Sequence, residues 1–125
     1  MKKEEILKLM NASNSQTLMQ TLSIDFIDFG EDYLIAKMPV TPRIHQPDGI
    51  LHGGATFALA ETVGSAAAHM FNKTKSKIVR GIEMSGNHLK SIKDGFVYAK
   101  AKSIHNGSTT QIWEIKVTNQ AGELI

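Results

Sequence analysis

One carboxylate stands apart in this chain. From Gly53 to Phe71 the sequence reads GGATFALAETVGSAAAHMF, and Glu61 is its sole charged residue apart from His69. Burying a lone carboxylate costs several kcal/mol. A Glu kept in such a segment therefore sits at the boundary of the apolar stripe, bonds a backbone group while buried, or works as a general base or nucleophile. Phe57, Gly64 and Ala68, at −4, +3 and +7 from Glu61, share its face if the segment is helical. Immediately before it stands Gln46-Pro47-Asp48-Gly49-Ile50-Leu51-His52-Gly53-Gly54. Two glycines at a helix start leave backbone N–H groups uncovered at the positive end of the helix dipole. That arrangement suits an oxyanion or a polarised carbonyl; the plainer alternative is a tight turn into the helix. Glu61 lies eight residues beyond Gly53, roughly 12 Å along a helix at 1.5 Å per residue. The two groups cannot reach one carbonyl within one chain. Two antiparallel copies of the helix would bring them together, so shared sites in a C2 dimer are expected.

Composition narrows the chemistry. The 125 residues include no cysteine, which excludes disulfides, thiolate metal sites and cysteine nucleophiles. The length fits one domain, 1–125, with an N-terminal helical segment at 1–21. Five histidines, at 45, 52, 69, 88 and 105, show no metal-ligand spacing, so no metal is expected. Net charge is +2, with −3 over residues 1–72 and +5 over 73–125. The basic second half reads either as a solvated surface or as a face toward a phosphorylated ligand. Few aromatics and the small net charge argue against nucleic acid. No signal-like or membrane-spanning run occurs, so a cytoplasmic protein with no membrane contact is expected.

The elements that must position these residues follow from periodicity. Residues 3–11 read as a short amphipathic helix, and 13–21 as a second helical turn with Ser13 or Ser15 as cap. Residues 23–29 and 33–40 read as strands; Leu34, Ala36, Met38 and Val40 share a face. Residues 53–71, with six alanines and apolar residues nearly all round, read as one long buried helix. Strand-like segments follow at about 76–89, 95–104 and 109–118, with Asp94-Gly95 and Asn106-Gly107 as hairpin turns. The order predicts an α+β fold: an antiparallel sheet wrapped around one central helix.

At these residues the sequence resembles a known family. Leu51-His52-Gly53-Gly54-Ala55 and Leu59-Ala60-Glu61-Thr62-Val63-Gly64-Ser65 are similar to the hotdog-fold acyl-CoA thioesterases. Met38-Pro39-Val40, Gly81-Ile82-Glu83, Asn87-His88-Leu89-Lys90-Ser91, His105-Asn106-Gly107-Ser108 and Gln111-Ile112-Trp113-Glu114-Ile115 extend the likeness to the phenylacetyl-CoA and 1,4-dihydroxy-2-naphthoyl-CoA thioesterase branch. The resemblance implies that Glu61 attacks the thioester or activates water, and that the Gly53 N–H polarises the carbonyl. It implies that Gln46 and His52 orient the thioester, with Ser65 near the attacking group. Coenzyme A is then held by Gly81, His88, Leu89, Lys90, Ser91, His105, Asn106, Gly107, Ser108, Thr109 and Thr110, with Lys90 and Lys93 serving phosphate. Relatives often carry Arg at the position of Thr109. It further implies a hotdog fold, an aromatic acyl-CoA substrate, a place in menaquinone biosynthesis, no cofactor beyond the substrate's own coenzyme A, and a dimer of dimers. Where the family runs on through another full strand, Ala121-Gly122 is followed here by Glu123-Leu124-Ile125, so the last strand is expected to be largely missing. Two other activities fit the same fold: a hotdog acyl-thioester hydratase or dehydratase, and a non-catalytic acyl-CoA-binding protein.

Overall fold

Small residues on two neighbouring strands decide where the long helix sits. The computed structural model describes residues 1–125. Its elements are α1 (Lys3–Ala12), α2 (Leu18–Thr21), β1 (Asp25–Phe29), β2 (Tyr33–Pro39), a 3₁₀ turn (Pro42–Ile44), α3 (Gly53–Met70), β3 (Phe96–Asn106) and β4 (Gln111–Thr118). The strands form one antiparallel sheet in the order β1-β2-β3-β4. Leu34, Ala36 and Met38 point inward from β2 and stand opposite Ala101, Ala99 and Val97 of β3. None of the six exposes any surface. The three alanines keep this face low, so α3 lies close on it and buries Leu59, Val63 and Ala67 completely. Gly64 admits the tip of Ile115 from β4, which a β-carbon there would meet at 2.8 Å.

The sequence pattern of α3 predicts burial on every side, and the structure corrects this. Thr56, Leu59, Ala60, Val63, Ala67 and Ala68 are buried, whereas Glu61, Ser65 and His69 form an exposed stripe. Alanine is apolar yet small, so a run of it does not distinguish a covered face from an open one. The second helical turn is shorter than expected and begins after Thr17 rather than at Ser13 or Ser15.

The strand expected at 76–89 is absent, and the sheet has four strands rather than five. Alternating residues signal an extended backbone, but a strand also needs a neighbour within hydrogen-bonding reach. Here β4 forms its ladder with β3 only, and Ile78, Ile82 and Leu89 are exposed. The chain instead touches the sheet through Ile125. Its carbonyl accepts from the N–H groups of Leu89 (2.6 Å) and Lys90 (2.8 Å), while its own N–H donates to Val117 O at 2.8 Å. Ile125 is thus bonded on both flanks, like a residue inside a sheet. Asp94-Gly95 does not form a hairpin: Gly95, at φ +80°, turns the chain into β3 and accepts from Val40 N. Asn106-Gly107 does begin the β3–β4 hairpin, closed by Gly107 N donating to Thr110 O at 2.9 Å.

The N-terminal helix is docked by a side chain that imitates a strand. Asn11 Nδ2 donates to Phe26 O (3.0 Å) and its Oδ1 accepts from Phe26 N (2.7 Å). Lys3 adds a 2.9 Å ion pair with Asp28, and that hydrogen bond holds the Asp28 carboxyl below the ordinary range. Asn11→Ala is expected to destabilise the protein by about 1–3 kcal/mol, because both Phe26 groups lose their partner. Thermal unfolding and faster hydrogen exchange at the Phe26 amide would register it. No helix is long and apolar enough to cross a membrane.

Candidate active site

The start of α3 presents an open backbone donor. His52 caps the helix: its Nδ1 accepts from Gly54 N at 2.8 Å, and its carbonyl accepts from Ala55 N and Thr56 N. The Gly53 N–H has no acceptor in the protein. Over it lies His88, whose Nε2 would sit 3.0 Å from a β-carbon at position 53 and whose ring packs on Phe57 at 5.2 Å. Gln46, Gly53, His88, Leu89, Lys90 and Ser91 line one cavity of about 300 Å³. Lys90 is already engaged, with its ammonium on Glu123 Oε2 at 2.5 Å. That hydrogen bond, aided by Asn119, keeps the Glu123 carboxyl below the usual carboxylate range.

Glu61 sits elsewhere, on the seam of two other cavities. The first, about 410 Å³, runs from Glu61, Gly64 and Ser65 to Gly107, Ser108, Thr109, Thr110 and Trp113; Lys77 and Arg80 bring cations to it, and Glu83 a second carboxylate. Gly81 lets the backbone pass directly over the catalytic candidate, since a β-carbon there would come within 2.7 Å of Glu61 Oε1. The second cavity, about 600 Å³, lies under the N-terminal helices between Met10, Met19, Phe26 and Met70, with Ser65 and His69 on its α3 side. Neither cavity includes Gly53, and the Gly53 cavity does not include Glu61. The start of α3 and its middle thus open into different cavities of one chain.

The residues singled out in the sequence divide between these places. Gly81 and Gly107 to Thr110 gather at Glu61, while Gln46 and His88 to Ser91 gather at Gly53. His52 serves the helix end and stands outside both groups. Asn106 also lies apart: its Nδ2 donates to Phe71 O at 2.9 Å, tying the hairpin to the end of α3. His105 folds against Gly107 rather than into a cavity. Of the lysines expected to serve phosphate, Lys90 pairs with Glu123, and Lys93 offers its carbonyl to His45 Nε2. Lys77 and Arg80 occupy the polar cavity instead. The sequence marked these two only as part of its basic second half; His69, at the Glu61–Ser65–His69 spacing of four, lines the apolar cavity.

Comparison with known proteins bears on this arrangement. The family described as "Thioesterase superfamily" matches residues 48–125. The chain is 38% identical over 123 residues to the 1,4-dihydroxy-2-naphthoyl-CoA hydrolase of Escherichia coli (strain K12), covering 98% of this chain and 90% of that one. It is 39% identical over 121 residues to the proofreading thioesterase EntH of Cronobacter turicensis, covering 97% and 88%. The crystal structure of a mutant thioesterase from Pseudomonas aeruginosa superposes with a TM-score of 0.90 at 39% identity, covering 94% of this chain and 85% of that one.

Proposed function

We propose that this chain, which belongs to the thioesterase superfamily and is a thioester hydrolase of hotdog fold, cleaves aromatic acyl-coenzyme A to the free acid and coenzyme A. The observation that carries the reading is the seam at Glu61. A polar cavity bearing Lys77 and Arg80 meets an apolar one walled by Met10, Met19, Phe26 and Met70. An acyl-CoA has the same division, an anionic nucleotide arm on one side of the thioester and an apolar acyl group on the other. The name of the 38% identical hydrolase supports an aromatic acyl group and a place in menaquinone biosynthesis.

In this mechanism the Gly53 N–H of one subunit donates to the thioester oxygen, drawing charge onto it. Glu61 of the other supplies the nucleophile, as its own carboxylate or as a water that it deprotonates. On the general-base route the C–S bond breaks as the hydroxyl adds, and the thiolate takes the proton that Glu61 drew from water. On the nucleophilic route the C–S bond breaks as a Glu61–acyl anhydride forms; water then cleaves the anhydride, frees the acid and Glu61, and supplies the proton to the thiolate. His88, packed over Gly53, and Gln46 beside it hold the thioester against the donor. Ser65, one turn along α3, borders the attacking side. His52 acts through the helix, since its cap on Gly54 holds the first turn in place. Gly81 and Gly107 to Thr110 line the path of the coenzyme arm, and no cofactor takes part. The roughly 12 Å between Gly53 and Glu61 along α3 makes the dimer part of the chemistry.

Thiol release from benzoyl-CoA and from the benzoyl thioester of N-acetylcysteamine, which lacks the nucleotide, tests the assignment. The CoA ester is expected to be preferred in kcat/KM by at least about tenfold, since each lost charged hydrogen bond is worth about that factor. Replacing Lys77 and Arg80 by Ala should remove the preference without slowing the truncated ester. Equal rates for both esters in the wild type would overturn recognition of the nucleotide arm by Lys77 and Arg80, and no thiol release from benzoyl-CoA would overturn the thioesterase reading.

A further inference from the structure

The β3–β4 hairpin ends in a loop, Gly107 to Thr110, that lines the polar cavity at Glu61. Little within the loop holds it there. Gly107 N donates to Thr110 O at 2.9 Å, but the exposed Ser108, Thr109 and Thr110 make no side-chain hydrogen bond to the protein. The ladder beneath is loosened as well. Its register shifts between Ser103 and His105, so Ile104 is an extra residue that bends β3 just before the loop. What fixes the hairpin end is a pair of carboxamides, Asn106 and Gln111, opposite each other across the two strands. Asn106 Nδ2 donates to Phe71 O at 2.9 Å and Gln111 Nε2 to Ala68 O at 3.1 Å. We propose that Asn106 is a positioning residue for the coenzyme arm, because its bond to the end of α3 sets where the 107–110 loop meets the substrate. The inference rests on the thioesterase reading, since it takes that loop as the wall along the arm.

The end of a helix makes this attachment possible. Its last four carbonyls have no partner within the helix. In α3 the Ala67 carbonyl still accepts from Phe71 N, so Ala68 and Phe71 are the first and last of the four. They stand three residues apart, about 4.5 Å along the axis. Two bonds at that separation fix the tilt of the hairpin as well as its distance, whereas one alone would act as a pivot. The Gln111 arm has further support: its Oε1 accepts from Trp113 Nε1 at 2.8 Å, and the Trp113 ring packs on Phe71 at 5.6 Å. Asn106 has no such support. Its Oδ1 is buried and accepts nothing from the protein, an arrangement that costs stability. An apolar residue at 106 would avoid that cost, so the value of the asparagine lies in its donor and in what that donor places. Asn106 does not itself line the cavity, and its effect on a substrate passes through the loop. Ala68 stands seven residues beyond Glu61, roughly 10 Å along α3. The clasp is therefore remote from the reacting carbonyl, and it bears on binding of the arm rather than on bond cleavage.

The test follows thiol release from benzoyl-CoA and from the benzoyl thioester of N-acetylcysteamine, which has no nucleotide to reach the loop. Asn106→Leu removes the donor and keeps the volume. It is expected to raise KM for benzoyl-CoA by about tenfold, with kcat for that ester and kcat/KM for the truncated one within about twofold of wild type. Asn106→Gln, which keeps a donor on a longer arm, should restore part of the KM. A purely structural role would lower the fraction of folded enzyme, and with it kcat for both esters together at unchanged KM. That result overturns this inference alone, as does a variant whose kinetics match the wild type on both esters. If Asn106→Leu fails to fold, Asn106→Asp, which has the same shape without the donor, is judged by the same KM. A wild type that treats both esters alike overturns recognition of the nucleotide arm and this inference with it. No hydrolysis of benzoyl-CoA by wild type overturns the thioesterase reading itself.

Discussion

Glu61→Gln is expected to lower kcat by about 10³-fold while leaving KM and Tm close to those of the wild type. The size follows from the chemistry, since removing a positioned base or nucleophile forfeits about 10²–10⁴ in rate. The selectivity follows from the structure. Glutamine keeps the volume that Gly81 accommodates over the carboxylate, and the side chain is exposed and makes no hydrogen bond that the fold depends on. Surface changes of this kind cost within about 0.5 kcal/mol. Steady-state thiol release beside thermal unfolding reads both halves. A Gln variant that turns over at the wild-type rate removes Glu61 from the mechanism.

The second large effect is at the start of α3. Gly53→Pro deletes one N–H and little else, because proline is tolerated at the first position of a helix. The preceding residue is already extended, with His52 at φ −66° and ψ 130°, as a residue before proline requires. The ring would press on the end of the His88 side chain, not on backbone. Loss of a single oxyanion donor costs about 10²–10³ in kcat, and that drop is expected here. Gly53→Ala, which retains the N–H, separates the donor from the added bulk and should stay within a few-fold of wild type. Mixing the two inactive proteins, Glu61→Gln and Gly53→Pro, carries the argument across the interface. Random exchange makes about half of the dimers hybrid, each with one intact site, so about a quarter of wild-type activity should return. Activity that never returns, under conditions where subunit exchange is demonstrated, would confine the site to one chain.

Much of this was legible in the sequence wherever a residue's local surroundings decide its role. The Gly53-Gly54 pair marks the start of α3, and the alternation Leu34, Ala36, Met38 marks the face of β2 that meets it. The lone Glu61 stands out by its charge alone, and the fold sets it where two cavities meet. What sequence could not supply was partnership at a distance. Residues 76–89 alternate as a strand does, but no strand lies beside them to complete a ladder. Lys90 and Lys77 look alike as lysines; only the fold places one on Glu123 and the other in the cavity at Glu61. The wall of the apolar cavity needs Asn11 to dock α1 on Phe26, a contact between residues fifteen apart that no periodicity announces.

If each copy of α3 carries halves of two different sites, as proposed, a consequence for inheritance follows. In a cell with two gene copies, a Glu61 lesion and a Gly53 lesion on separate copies complement, because every mixed dimer keeps one working pair. Either lesion alone opposite a normal copy is recessive in the same way. Both lesions on one copy behave differently: the altered subunit then spoils each site of every mixed dimer it enters. Random pairing leaves about a quarter of the activity where simple dilution would leave about half. The two lesions in trans leave the same quarter, but there it resides in mixed dimers with one working site each, whereas in cis it resides in wild-type dimers with two.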